Sequence, residues 1–233
     1  MNYRNLVYGV AVGEAVALPY QYTERGTFKC GGMVGFGTWQ QPEGTWSQHT
    51  SGVLATVDSL KVCGGHIYPD DMFLRLRWWL ERGKYAIGNN VINCDVYTRE
   101  ALETGTPSAS TFNYEVLPRL LPVIDTCLEN VLVVTELTSM SVIIFKAANE
   151  LFGFYNYAIC DNNDLFLAHV YDCLYTATDY RSAVLRAVNL GGDTCTTAAL
   201  VGGLAALKYG LEGIPSEWLD GLRGKEIIET VLG

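Results

Sequence analysis

The chain has 233 residues and a formal net charge of −9 at pH 7, with 49% hydrophobic and 18% charged residues. This composition excludes a disordered chain, and an acidic balance without a local cluster of Lys or Arg argues against nucleic acid as a partner. No stretch has the character of a linker, so we expect one domain over residues 1–233.

Two apolar stretches bear on targeting and membranes. The segment 6–18 is interrupted by Glu14 and lacks a small-residue cleavage site, and the segment 131–145 contains Glu136. We therefore expect neither a signal peptide nor a membrane partner. The seven cysteines are odd in number and include no C-x-x-C pair, which favours reduced thiols and a cytoplasmic location.

Helical spacing of apolar residues begins with the first element. A predicted helix at 6–18 is rich in small residues, which indicates close packing against another helix, and Pro19 ends it. A glycine-rich ordered loop at 23–46 leads to a second helix at 50–62, so the residues 47–50 lie at a helix entrance.

Helical signals continue along the rest of the chain. Pro69, followed by two aspartates, predicts the start of a helix that ends at Gly83. Further helices are predicted at 98–103, 117–128, 130–152, 165–178, 180–189, 196–209, 215–222 and after Gly224. Because strand-like alternation is scarce, the sequence predicts an all-α fold.

A tight turn at Gly191 and Gly192 precedes the most distinctive helix start. Asp193 and the threonines after it can cap that helix, while the exposed amides of such a turn attract anions. Asp193 and Thr196 can also supply oxygen ligands to a hard cation. The alternative is a capped helix terminus that packs through small residues, Cys195 among them.

Two loop-to-helix junctions carry a family resemblance, one at 44–50 and one at 187–197, the second extending through 209–215. Similar segments occur in the same order at 9–22, 31–50, 95–102 and 112–122. The chain resembles the ADP-ribosylglycohydrolases, which include dinitrogenase reductase-activating glycohydrolase-like proteins. The resemblance implies a compact, single-domain, all-α ADP-ribosylglycohydrolase-like fold.

The resemblance also implies a chemistry. Members of the family use two divalent metal ions, normally magnesium, to cleave ADP-ribose from proteins or related acceptors, since close hard cations orient the ribose hydroxyls and help to activate water. Their ligands are a Glu after the first helix, a Ser/Thr-Asp-Asp run and an Asp-x-Asp-Thr run. The matching positions here hold Gln21, then Ser47, Gln48 and His49, then Asp193, Cys195 and Thr196.

Most carboxylates are missing from these positions, and only Asp193 remains. Magnesium demands near-octahedral oxygen coordination and gives up water reluctantly, so amides, an imidazole and a thiol are poor replacements. We therefore expect that the magnesium pair of the family is lost and that the chain uses no cofactor.

The family's nucleotide cradle is altered as well. Phe112 and Arg119 match the residues that flank it, but the segment 113–118 places bulk and a negative charge where the family has small residues and bare amides. The family's Thr-His pair in the next helix appears as Thr138 and Ser139. Residues that can still contact a ligand are Phe112, Arg119, Gly191 and Gly192.

Cys195 and His49 leave alternatives open. They replace two ligands that face each other in the family, so they can be read as a nucleophile pair or, with Asp193, as a soft-metal site. The opposing interpretation is an inert thiol beside an imidazole that fills the vacated cavity. Glu14 matches a family Asp and is expected to preserve a local hydrogen bond.

The sequence thus predicts a catalytically degenerate member of the family, a pseudoenzyme that acts by binding a partner protein as inhibitor, adaptor or decoy. One alternative is a module that binds ADP-ribose or a related nucleotide without cleaving it. Another is a hydrolase that removes ADP-ribose with an altered metal site or with no metal.

Overall fold

Helices make up most of the protein, and the computed structural model describes residues 1–109, 114–157 and 164–233. In these ranges the α-helices are α1 Tyr3–Ala17, α2 Gln48–Val62, α3 Pro69–Arg82, α4 Val96–Thr104, α5 Leu128–Glu136, α6 Val142–Tyr157, α7 Leu165–Tyr175, α8 Tyr180–Val188, α9 Thr194–Tyr209, α10 Ser216–Gly221 and α11 Lys225–Leu232. The isolated β-bridges found there join Phe36 to Gln41 and Ser108 to Ser139. The predicted all-α fold is confirmed.

The first three helices follow the sequence signals closely. α1 begins three residues before the predicted start because the side chain of Asn2 caps it by accepting from the backbone N of Asn5 at 3.1 Å. α2 begins within the predicted entrance at 47–50, and α3 ends where Gly83 adopts a left-handed φ of 64°. No helix in the described ranges combines the length and the apolar character needed to cross a bilayer.

The α-helix predicted at 117–128 is wrong. The structure has a 3₁₀ segment at Tyr114–Val123 instead, and α5 begins only at Leu128. Pro118 and Pro122 lie inside the 3₁₀ segment, and a proline in an α-helix lacks the N–H that the ladder needs and clashes with the carbonyl of the preceding turn. The apolar spacing therefore indicated burial rather than α geometry.

The single helix predicted at 130–152 is also wrong, because α5 and α6 are separate helices. At the break, the backbone N of Ser108 donates to the carbonyl of Thr138 at 3.4 Å, and the backbone N of Met140 donates to the carbonyl of Ser108 at 2.9 Å. The guanidinium of Arg119 also donates to Thr138 Oγ1. These bonds to other segments replace helical ones, and a periodicity argument does not foresee them.

α1 and α9 touch through their backbones. A Cβ added to Gly13 would lie 2.2 Å from the carbonyl oxygen of Ala198, and one added to Gly202 would lie 2.4 Å from that of Gly9. The close packing predicted from the small residues of the first helix is confirmed. The contact brings the second half of α1 beside the start of α9, where the predicted site residues lie.

Candidate functional site

The N-terminus of α2 is capped by a side chain from another helix. Oε1 of Glu14, in α1, accepts from Ser47 Oγ at 2.6 Å and from the backbone N of His49 at 3.2 Å. Its Oε2 accepts from the backbone N and Oγ1 of Thr50 at 2.9 and 2.6 Å. These amides lack partners within the helix, and a carboxylate at this end also interacts favourably with the helix dipole. Glu14, which is fully buried, thus fixes α2 to α1.

The imidazole of His49 connects three helices. Its Nδ1 lies 2.8 Å from Oε1 of Glu14, and its Nε2 lies 2.9 Å from Oγ1 of Thr196 in α9. Burial opposes charge on both partners. The carboxylate of Glu14, with smaller contributions from Glu115 and Asp193, nevertheless raises the pKa of His49 to about 9, and His49 with the hydroxyl donors lowers the pKa of Glu14 to about 2. At neutral pH the pair is an imidazolium and a carboxylate.

Cys195 is not the hydrogen-bond partner of His49. Both ring nitrogens of His49 are engaged, by Glu14 and by Thr196. Complete burial, with the nearby negative charges of Glu14 and Asp193, raises the pKa of the Cys195 thiol well above its usual value. Because the thiolate is the nucleophile and the metal ligand, this geometry favours the inert-thiol interpretation.

Gln21 follows α1 and joins three segments of the chain. Its Nε2 donates to Oδ1 of Asp193 at 3.1 Å, while its Oε1 accepts from Trp39 Nε1 at 2.7 Å and from Asn93 Nδ2 at 2.9 Å. An amide can donate and accept at once, whereas a carboxylate only accepts. A glutamate here would set its negative charge against Asp193, so the buried network is fitted to the amide.

Gln48, another of the positions that match metal ligands of the family, forms hydrogen bonds through both atoms of its side-chain amide. Its Nε2 donates to Oε2 of Glu115, and its Oε1 accepts from the backbone N of Asp95 at 3.0 Å. Burial raises the pKa of Glu115 above its usual range, and the negative charges of Asp193 and Asp95 add to that effect. Glu115 is therefore part of the site and not only an obstacle in the nucleotide cradle.

The glycine turn before α9 is held against the segment after α1. Gly191 and Gly192 have φ values of 73° and 66°, and a Cβ on Gly191 would lie 2.6 Å from the backbone N of Arg25. The backbone N of Gly192 donates to the carbonyl of Thr23 at 2.9 Å, and its carbonyl accepts from the backbone N of Tyr22 at 2.7 Å. The amide of Gly192 is thus used within the protein.

Arg119 is buried behind the site. Its guanidinium donates to Thr138 Oγ1 and to the carbonyl of Val134 at 3.5 Å, and its Nε has no hydrogen-bond partner among the described residues. It borders a void of about 10 Å³ shared with Gln48, close to the space of one water molecule. Phe112, predicted to act with Arg119, lies outside the described residues.

A cleft of about 390 Å³ opens in front of this network. Its lining includes three carboxylates and four aromatic rings: Asp95, Glu115, Asp193, Tyr22, Tyr97, Tyr114 and Phe166. Asp193 is the one position of the predicted metal-ligand set found in that lining. The other positions are buried and are absent from that lining: Gln21, Ser47, Gln48, His49, Cys195 and Thr196.

Three acidic residues of the site carry sequence signals of different strength. Glu14 gives a usable signal, because a carboxylate inside a continuous apolar helix must find partners when that helix is buried. Asp95 gives a weaker one, since an aspartate before a short helix reads as an ordinary cap. Glu115 gives none, because only the fold brings it to Gln48.

Comparison with known proteins identifies the architecture. The ADP-ribosylglycohydrolase family model matches residues 2–128 and 163–232. The ADP-ribosyl-[dinitrogen reductase] glycohydrolase of Rhodospirillum rubrum is 49% identical over 49 residues, a local match that covers 21% of this chain and 17% of that protein. The ADP-ribosylarginine hydrolase Tri1 of Serratia proteamaculans (strain 568) is 22% identical over 277 aligned positions, covering 96% of this chain and 75% of the relative.

A solved structure has the same fold. It is an ADP-ribosylglycohydrolase-related protein complex, which superposes with a TM-score of 0.79 at 24% sequence identity. The match covers 99% of this chain and 95% of that one. At this identity the likeness establishes the helical arrangement.

Proposed function

We propose, from the premise that this chain belongs to the ADP-ribosylglycohydrolase family, that it is a pseudoenzyme of that family which acts by binding a partner protein as inhibitor, adaptor or decoy. Family members are ADP-ribosyl hydrolases. The observation that carries the proposal is the bonded network at the positions where the family holds metal. Gln21 bonds to Asp193, Gln48 bonds to Glu115, and His49 joins Glu14 to Thr196.

The donors at these positions do not fit a pair of magnesium ions. Gln21 and Gln48 are neutral and already bonded, and the thiol of Cys195 stays protonated. Magnesium takes carboxylate and water oxygens in octahedral geometry. Among the described residues, no group of three or more His, Cys, Asp or Glu side chains has the arrangement to hold a metal ion. Metal-dependent hydrolysis therefore does not follow from this donor set.

His49 supplies a positive charge of its own to this region. Its imidazolium bonds to Glu14 and lowers the pKa of Glu115 against the effect of burial. It thereby compensates carboxylates that a metal ion would otherwise neutralise. A divalent ion would first have to displace the proton from a group whose pKa is about 9.

Charge and exposed apolar side chains support a protein partner. The net charge of −9 favours a partner with a basic surface. The segment after α1 exposes Tyr22, Val34 and Phe36, although it is ordered by internal bonds, for example from Thr38 Oγ1 to the carbonyl of Gln21 at 2.8 Å. Large apolar side chains on an ordered surface segment are suited to protein contact.

Release of ADP-ribose from a modified protein tests the loss of catalysis. With magnesium or manganese present, we expect no release above the rate without protein. If the wild type releases ADP-ribose and the Asp193→Asn variant does not, the proposal is overturned in favour of the hydrolase alternative. A thermal shift with ADP-ribose but no release would instead favour the nucleotide-binding alternative.

Affinity purification from the native host tests the partner. We expect a specific protein that is retained by the wild type and lost with Phe36→Gly, because glycine adopts the φ of 68° and ψ of −116° at this position without strain. The matched control is Val62→Ser, which removes a similarly exposed apolar side chain at the far end of α2. Equal retention by both variants, or no specific protein, would contradict an apolar docking surface at Phe36.

A further inference from the structure

The walls of the cleft are aromatic. Tyr114 and Phe166 stack with ring centroids 4.6 Å apart, and Tyr22 and Tyr97 contribute two further rings, both exposed to solvent. The volume of about 390 Å³ is in the range of small-molecule sites. The face of an aromatic ring carries partial negative charge, so it attracts cations. The attraction is most effective for weakly hydrated cations such as alkylated ammonium groups, because they lose little hydration free energy on binding.

The remaining polar lining is negative. Asp95, Glu115 and Asp193 border the cleft, and no Lys or Arg occurs among the described residues that line it. Three carboxyl groups around one cleft of this size crowd negative charge into a small space. A bound cation relieves that crowding, and an anionic pyrophosphate increases it.

Each carboxylate is fixed in place by the fold. Asp95 caps α4 by accepting from the backbone N of Thr98 at 2.7 Å, and Asp193 caps α9 by accepting from the backbone N of Thr196 at 3.3 Å. Glu115 accepts from the hydroxyl of Tyr22 at 3.3 Å. The negative charges are therefore preorganised, so little ordering free energy is lost when a cation binds.

We infer that this cleft binds a small organic ammonium cation, held by its aromatic walls and its three carboxylates. The arrangement of the carboxylates does not make a metal site, and the aromatic faces favour an alkylated ammonium over a hydrated ion. The shared chemistry is an alkylammonium head group, carried either by a free small molecule or by a lysine side chain of a protein. The inference does not depend on whether the chain is a pseudoenzyme.

Isothermal titration of the full chain with choline tests this inference, and 3,3-dimethylbutan-1-ol serves as the neutral isostere. We expect choline to bind at least about tenfold more tightly than the alcohol, as cation–π and carboxylate attraction together require. Glu115→Gln and Tyr97→Leu should each weaken choline binding several-fold. Glu226→Gln removes the same charge from the exposed surface of α11 and should have no effect.

Several results of these titrations would overturn the inference, and one further comparison identifies the source of the cation. The inference is overturned if choline does not bind, if the alcohol binds equally well, or if Glu115→Gln and Tyr97→Leu, both confirmed as folded by thermal unfolding, leave binding unchanged. Displacement of choline by magnesium at equal concentration would also overturn it. A trimethyl-lysine peptide that binds more tightly than choline identifies a protein side chain as the source of the cation, and weaker binding identifies a free small molecule.

Discussion

At the scale of single residues, His49 and Glu14 are stable in the interior only as a pair. Neither ion is favourable alone at full burial, and removing one partner leaves the other charged and desolvated. We predict that His49→Gln lowers the free energy of unfolding by about 3 kcal/mol at pH 7, measured by denaturant titration. His169→Gln is the control, because His169 is exposed on α7, and it should change stability by less than about 0.5 kcal/mol. Equal effects would contradict a buried ion pair at this position.

The same pair gives stability a defined pH dependence. The pKa of Glu14 falls from 4.5 to about 2 on folding, so its contribution is complete above pH 4.5 and is lost as pH falls towards 2. The pKa of His49 rises from 6.5 to about 9, so its contribution is complete below pH 6.5 and is lost as pH rises towards 9.

The variant with both Glu14→Gln and His49→Gln isolates that dependence. We expect the difference in unfolding free energy between wild type and variant to be largest between pH 4.5 and 6.5 and to shrink on either side. Unfolding measured at a series of pH values from about 2 to about 9 tests this expectation. A difference that stays constant from pH 5 to pH 9 would contradict the imidazolium assignment.

At the scale of elements, the backbone contact between α1 and α9 positions the site. We predict that Gly13→Ala destabilises the protein by about 2 kcal/mol or more, because its Cβ would lie 2.2 Å from a backbone oxygen of α9. Gly153→Ala is the matched control within α6, where a Cβ meets nothing within 4 Å and the better helix propensity of Ala applies. It should be neutral or stabilising by up to about 1 kcal/mol, and equal losses in both variants would contradict the close contact.

Element positions were predictable where the signals are local. Pro69 and Gly83 bound α3, and the small residues of α1 correctly indicated a close helix neighbour. Local periodicity does not predict the α5–α6 break, because the bonds at the break come from Ser108 and Arg119, which are distant in sequence. Local periodicity describes which face is buried, while tertiary hydrogen bonds decide where a helix stops.

At the scale of the whole molecule, the resemblance predicts which positions correspond to the family's metal ligands, but not how their side chains bond to one another. It named Gln21, Gln48 and His49 as substituted positions, and it left open whether His49 pairs with Cys195. The fold instead places His49 between Glu14 and Thr196 and brings Glu115 to Gln48. These contacts join α1, α2 and α9 to the 3₁₀ segment, so no single stretch of sequence contains them.

Calorimetric titration of the full chain with magnesium at neutral pH tests the central claim most directly. Because the site already holds an imidazolium, bonded amides and a protonated thiol, we predict no saturable heat of binding. Two magnesium ions bound with micromolar affinity would contradict the claim.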